Sequence, residues 1–245
     1  MTEHDSTRPR AIERWIERVL PGYRFGLVLL LLLLTYSFMA SGLSGSWVRP
    51  VTVLLQGLTL LAALRASQVG RHLFRVAALI SLLAFLVALA SVAVTSSDRA
   101  TGLFFGLNVL LVAGAPVAIG RALWRRAEVD LHTVLGAICI YVLVGMLFAF
   151  LYGAVDYLGS EPFFVQTTHA TTADYLYFSF ITLTTVGYGD FTAATGLGRS
   201  LASLEALLGQ IYLVTVVATV VSRMAHSRLA GRQQTAAGGD GSADS

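Results

Sequence analysis

Between residues 25 and 222 the sequence is a succession of apolar runs separated by short polar stretches. A helix needs about 20 predominantly apolar residues to cross a hydrocarbon core of ~30 Å. Runs near this length lie at 25–43, 48–64, 76–95, 102–120, 131–152 and 197–222. Of the 245 residues, 56% are hydrophobic and 13% charged, more apolar side chain than a soluble domain can cover. The expected fold class is therefore an all-α integral membrane protein with six transmembrane helices, its partner the lipid bilayer.

One apolar stretch is too short to span. The run 175–183 reaches only about half-way across at ~1.5 Å per residue, and Thr184-Thr185-Val186-Gly187-Tyr188-Gly189-Asp190 follows it. A segment that enters a membrane and turns back must line a water-filled path or lie inside protein. Gly187 and Gly189 alternate with Val186 and Tyr188. Glycine accepts positive φ at no steric cost, so successive carbonyls of such a strand can point one way. The Thr185 hydroxyl adds a further oxygen. A ring of these oxygens replaces the water shell of a dehydrated cation, and one chain supplies one wall, so four chains close the ring.

The segment Thr184–Asp190 resembles the selectivity filter of the tetrameric pore-loop potassium channels, and the likeness extends over roughly residues 131–223 as outer helix, re-entrant pore helix, filter and inner helix. It implies a homotetramer passing K+ passively. The ion would be bound by the backbone carbonyls of Thr185, Val186, Gly187 and Tyr188 and the Thr185 hydroxyl, with Gly189 completing the filter and Thr184 and Asp190 supporting it. Many relatives have a tryptophan where this chain has Tyr177, and a tyrosine hydroxyl can likewise donate to Asp190. K+ is the permeant ion, and no cofactor is expected.

Gly209 lies 19 residues beyond Asp190, where the family has its gating hinge. Glycine at a helix crossing also permits close packing, and both readings stand. Glu205 is the only carboxylate inside a span. An acid there is costly, and a structural bond near the pore helix is expected of it. Asp156, Glu161, Asp174 and Asp190 suggest an acidic outer vestibule, and Asp174 a cap for the pore helix.

The chain divides into an N-terminal segment 1–24, a four-helix module 25–120, an interfacial linker 121–132, a pore domain 133–222 and a disordered cytoplasmic tail 223–245. Ile12, Trp15, Ile16, Val19 and Leu20 share one helical face, which lies either on the membrane surface or against a neighbouring subunit. The linker resembles the one through which voltage-gated channels pull on their gate, although an ordinary basic connector has the same composition. The four-helix module resembles a voltage sensor, yet 102–120 carries no basic residue, so gating by voltage through this helix is not expected.

Arginines at 65, 71, 75, 121, 125 and 126 mark alternate span ends, together with those near the N-terminus. That pattern puts both termini in the cytoplasm and the chain in the inner membrane. It also accounts for the pI of about 9.2 without nucleic acid. Cys139, the single cysteine, falls inside a span. No metal cluster, nucleophile–base pair or phosphate loop supports an enzyme. Two other functions compete with conduction: a membrane sensor or scaffold with a non-conducting pore, and a potassium-uptake subunit. The latter resembles four fused repeats, of which this sequence has one.

Overall fold

The computed structural model describes residues 24–43, 45–90, 98–124 and 131–239. They form seven helices: α1 (Arg24–Ala40), α2 (Val48–Ala66), α3 (Arg71–Ala90), α4 (Asp98–Trp124), α5 (Leu131–Leu158), α6 (Thr172–Leu183) and α7 (Gly196–Gly239). Among the described residues one isolated antiparallel bridge, Phe164 with Ala193, is the β-structure. Four segments are long and apolar enough to cross a membrane: Val48–Ala66, Arg71–Ala90, Thr101–Leu123 and Thr133–Leu158. The chain is thus a multi-pass membrane protein. The apolar helix Phe25–Ala40 is shorter.

In an apolar solvent every backbone polar group must be satisfied within the chain, and helices do this best. Polar side chains in these helices follow the same rule by bonding back one turn. Thr35 donates to the Leu31 carbonyl at 2.7 Å, Thr52 to Val48 and Thr59 to Leu55 at 2.8 Å, and the Asn108 amide to Phe104 at 2.7 Å. α2 ends where Gln68 turns left-handed (φ 52°), and the Val69 amide reaches back to the Leu64 carbonyl at 3.2 Å. Glycine is usual at such a helix end.

α4 and α5 pack antiparallel along most of their length. Phe105 fits the notch left by Gly153, where a Cβ would come 2.4 Å from the ring, and Leu123 lies over Gly136 at the other end. α1 lies against α2, α5 and α6. Its Tyr36 ring meets Phe180 of α6 edge-on at 4.9 Å, and the Cys139 thiol of α5 donates to the Phe25 carbonyl at 3.7 Å. α1 and α4 therefore pack on the α5–α6 unit of their own chain. α3 touches chiefly α2 and stands off from α4.

Several boundaries differ from the sequence expectation. α3 begins at Arg71, so Arg71 and Arg75 belong to its first turns and not to a loop. α4 covers 98–124, taking in the expected outer loop at Asp98 and Arg99 and the start of the linker. α5 continues to Leu158 and carries Asp156. α7 runs on to Gly239, so the stretch 223–239 is helical and not a disordered tail. One cause covers α3, α4 and α7. Polar residues mark where a helix leaves the apolar layer, but arginine, glutamine and alanine are good helix formers and the backbone carries on through them. Residues 9–20 and 125–130 lie outside the described residues, and with them the amphipathic segment and half of the linker.

Candidate functional site

α6 is set by its first turn. Thr171 is the N-cap, and its hydroxyl accepts from the Asp174 amide at 3.3 Å, while the Asp174 carboxylate accepts from the Thr171 amide at 2.7 Å. Asp174 is thus the third helical residue of a capping box and not the cap itself. At the other end the helix tightens into the loop. The Thr185 amide donates to Thr182 at 2.9 Å, and the Val186 and Gly187 amides both reach the Ile181 carbonyl, at 2.9 and 3.1 Å.

In that loop Thr185, Gly187 and Gly189 are left-handed, with φ of 58°, 51° and 80°, and Val186 and Tyr188 between them are not. The alternation of hand is the one the glycine spacing predicts. Thr185 extends it to a β-branched residue, for which a positive φ is strained. All residues from Thr184 to Asp190 are exposed, Tyr188 at 73% and Val186 at 51%. The side chains of Val186 and Tyr188 are thus largely uncovered by their own chain.

Behind the loop, Tyr177 of α6 donates to Asp190 at 2.7 Å. The strand leaving the loop is strapped to the segment that follows α5. Gln166 donates to the Thr192 hydroxyl at 2.8 Å and accepts from the Thr192 amide at 2.9 Å. The Val165 and Ala194 amides bond to Thr192 and Phe163 carbonyls at 3.0 and 2.8 Å. Arg199 of α7 holds the Ala193 carbonyl at 3.1 Å.

Glu205 is fully buried where α5, α6 and α7 meet. Its carboxyl lies 2.5 Å from both the Tyr152 hydroxyl and the Ser179 hydroxyl, and Ser179 is also 2.6 Å from the Gly145 carbonyl. It therefore faces α6 and not the exposed side of α7. Four residues on, Gly209 presses against the end of α6, where a Cβ would come 2.4 Å from the Leu183 carbonyl oxygen. That same carbonyl accepts from Tyr141 of α5 at 3.2 Å.

The four carboxylates expected around the loop mouth separate into two kinds. Asp156 is turned inward, accepting from the Tyr175 hydroxyl and, at 2.6 Å, from the Phe163 amide. Asp174 is held in the capping box. Glu161 and Asp190 remain exposed. Sequence reasoning missed Asp156–Tyr175, Gln166–Thr192 and the tyrosines at 141 and 152, because their partners lie 19, 26, 42 and 53 residues away. A tyrosine or glutamine beside a span carries no spacing signal for such pairs.

Together these contacts hold a strand of alternating hand on three helices. Residues 136–226 match a family described as ion channel. The matched region takes in most of α5, all of α6, the loop and the first part of α7. A Rhodopseudomonas palustris protein, provisionally named a potassium channel protein, is 39% identical to this chain over 61 residues. Those residues are 24% of this chain and 15% of that protein, so the likeness spans a small part of the relative's length. No solved structure matches. Among the described residues no group of histidine, cysteine, aspartate and glutamate could hold a metal ion.

Proposed function

We propose that this chain is one subunit of a homotetrameric potassium-selective channel. The observation that carries the proposal is the left-handed backbone at Thr185, Gly187 and Gly189. With every second residue reversed, the intervening carbonyls can line one side of the strand and replace the hydration shell of K+. α6 is then the re-entrant pore helix, α5 the outer helix and α7 the inner helix. α1 to α5 and α7 make six crossings of the inner membrane, with both termini in the cytoplasm. Tyr177 and the Gln166–Thr192 pair tie down the outer end of the filter. Glu205 joins the inner helix to the pore helix, and Gly209 sits at their crossing, where bending of α7 would be felt.

The exposure of Val186 and Tyr188 favours assembly. Side chains that brace a filter and are largely uncovered by their own subunit need the neighbouring one. α4 has no basic residue between 102 and 120, so opening is independent of voltage through this helix. The test is purified protein in a planar bilayer with K+ on one side and Na+ on the other. A reversal potential near the K+ equilibrium value, with open probability flat in voltage, is expected. Equal permeation of both ions would sink the selectivity, and steep voltage dependence would sink the gating.

A further inference from the structure

A cleft of about 780 Å³ separates α3 from α4. Leu64, Leu73, Ile80, Leu107, Leu110 and Val117 are among its walls, and Ser67, Gln68 and Arg121 form one end. From Leu107 to Arg121 the cleft follows fourteen residues of α4, roughly 21 Å, which exceeds the ~15 Å hydrocarbon depth of one leaflet. Its volume lies within the range of pockets that enclose small ligands. Leu73, Ile80, Leu110 and Val117 are also exposed, so the cleft opens sideways to the surroundings of the helices.

The polar end is strongly basic. Arg121 lines it, and Arg65, Arg71 and Arg75, all exposed, belong to the adjoining ends of α2 and α3. Arg65 lies over the Phe74 ring at 4.9 Å. The Ser67 hydroxyl oxygen at that end is buried with no hydrogen-bond partner. The described carboxylates are elsewhere: Asp98, at the far end of α4, and Asp156, Glu161, Asp174 and Asp190 belong to the opposite end of the molecule, and Glu205 is enclosed between α5, α6 and α7. An apolar slot one leaflet deep, capped by arginines with no described carboxylate beside them, matches the two halves of an anionic phospholipid.

We propose that the α3–α4 cleft is a binding site for one anionic bilayer phospholipid. An acyl chain lies between Ile80, Leu110 and Val117, and the phosphate meets Arg121 and the Ser67 hydroxyl. Neither lipid half alone accounts for the cleft: tails of any lipid fill the slot, and the arginines select the charge. An arginine close to an anionic headgroup favours it by roughly fivefold.

The test is native mass spectrometry of the detergent-solubilised full chain titrated with phosphatidylglycerol or phosphatidylcholine of matched tails. Phosphatidylglycerol is expected to be retained several-fold better, and Arg121→Gln to reduce that preference by roughly fivefold. Val117→Trp, which fills the slot from an exposed position, is expected to lower retention of both lipids while the thermal unfolding midpoint stays put. Equal retention of the two lipids, or an Arg121→Gln protein that still prefers phosphatidylglycerol as the parent does, overturns the proposal. So does a disulfide between two chains of a Val117→Cys protein, which would make the cleft a contact between subunits.

Discussion

Ser179 stands within hydrogen-bonding distance of two acceptors, the Gly145 carbonyl and the Glu205 carboxyl. A hydroxyl has one hydrogen to give. Glutamine at position 205 can donate to Ser179 and accept from Tyr152, so Glu205→Gln should keep all three contacts and the parent's thermal stability. Glu205→Ala strands the Tyr152 hydroxyl in a buried site, while Ser179 keeps the Gly145 carbonyl, and should cost about 1–3 kcal/mol, read as a fall in unfolding midpoint. Equal stability of the two variants would contradict this account. Tyr177→Phe removes one exposed bond to Asp190, worth about 1 kcal/mol. Its expected signature is faster loss of K+ current during sustained opening, with little change in global stability. Both acids drew attention in the sequence for sound reasons, one as a charge inside a span and the other as the end of the glycine-spaced stretch. Their partners were less evenly legible. Tyr177 could be paired with Asp190 by likeness to a family, whereas Tyr152 and Ser179 are brought to Glu205 only when three helices converge.

Among the described helices, α6 is the shortest, and it is held at both ends. Its capping box is independent of everything membrane-related, so Thr171→Ala should cost about 1 kcal/mol, measurable as a lower unfolding midpoint, and Thr171→Ser should restore it. The 12-residue length of this helix could be read from the sequence to within three residues, because its polar start and the following glycines bracket it. The ends of α4, α5 and α7 could not be read so closely. Hydropathy reports where a helix leaves the apolar layer, and nothing in the arginine- and alanine-rich ends of α4 and α7 stops the backbone there. Asp156 illustrates the consequence: read as a loop acid facing solvent, it is a helical residue that fastens α5 to Tyr175 of α6.

At the scale of the whole molecule, α1 and α4 pack on the α5–α6 unit of the same chain, while the loop 184–190 is exposed along its length. Four-fold assembly would bury the loop and leave the front helices each on their own pore. Thermal stability should then depend on protein concentration and rise with K+ over Na+, since both neighbours and ion bind only the folded form. A midpoint insensitive to both would argue for a chain that functions singly. The contact between α1 and α6 was beyond the reach of the sequence, because Tyr36 and Phe180 are two aromatic residues among many in apolar runs.

The Leu183 carbonyl lies where α5, α6 and α7 meet: it takes a hydrogen bond from Tyr141 and leaves no room for a Cβ at Gly209. Gly209→Ala must push α6 and α7 apart, at a cost of about 1–3 kcal/mol. The mechanical meaning is larger than that number. Leu183 is two residues upstream of the strained Thr185, so α7 bears directly on the foot of the loop, with no intervening layer to absorb a displacement. A tilt of α7 would pass to the loop as a push from a rigid rod, and a change in loop shape would pass back along the same rod. Opening at the inner end and collapse at the outer end would then be one coupled event, with a single joint at Gly209 as its fulcrum.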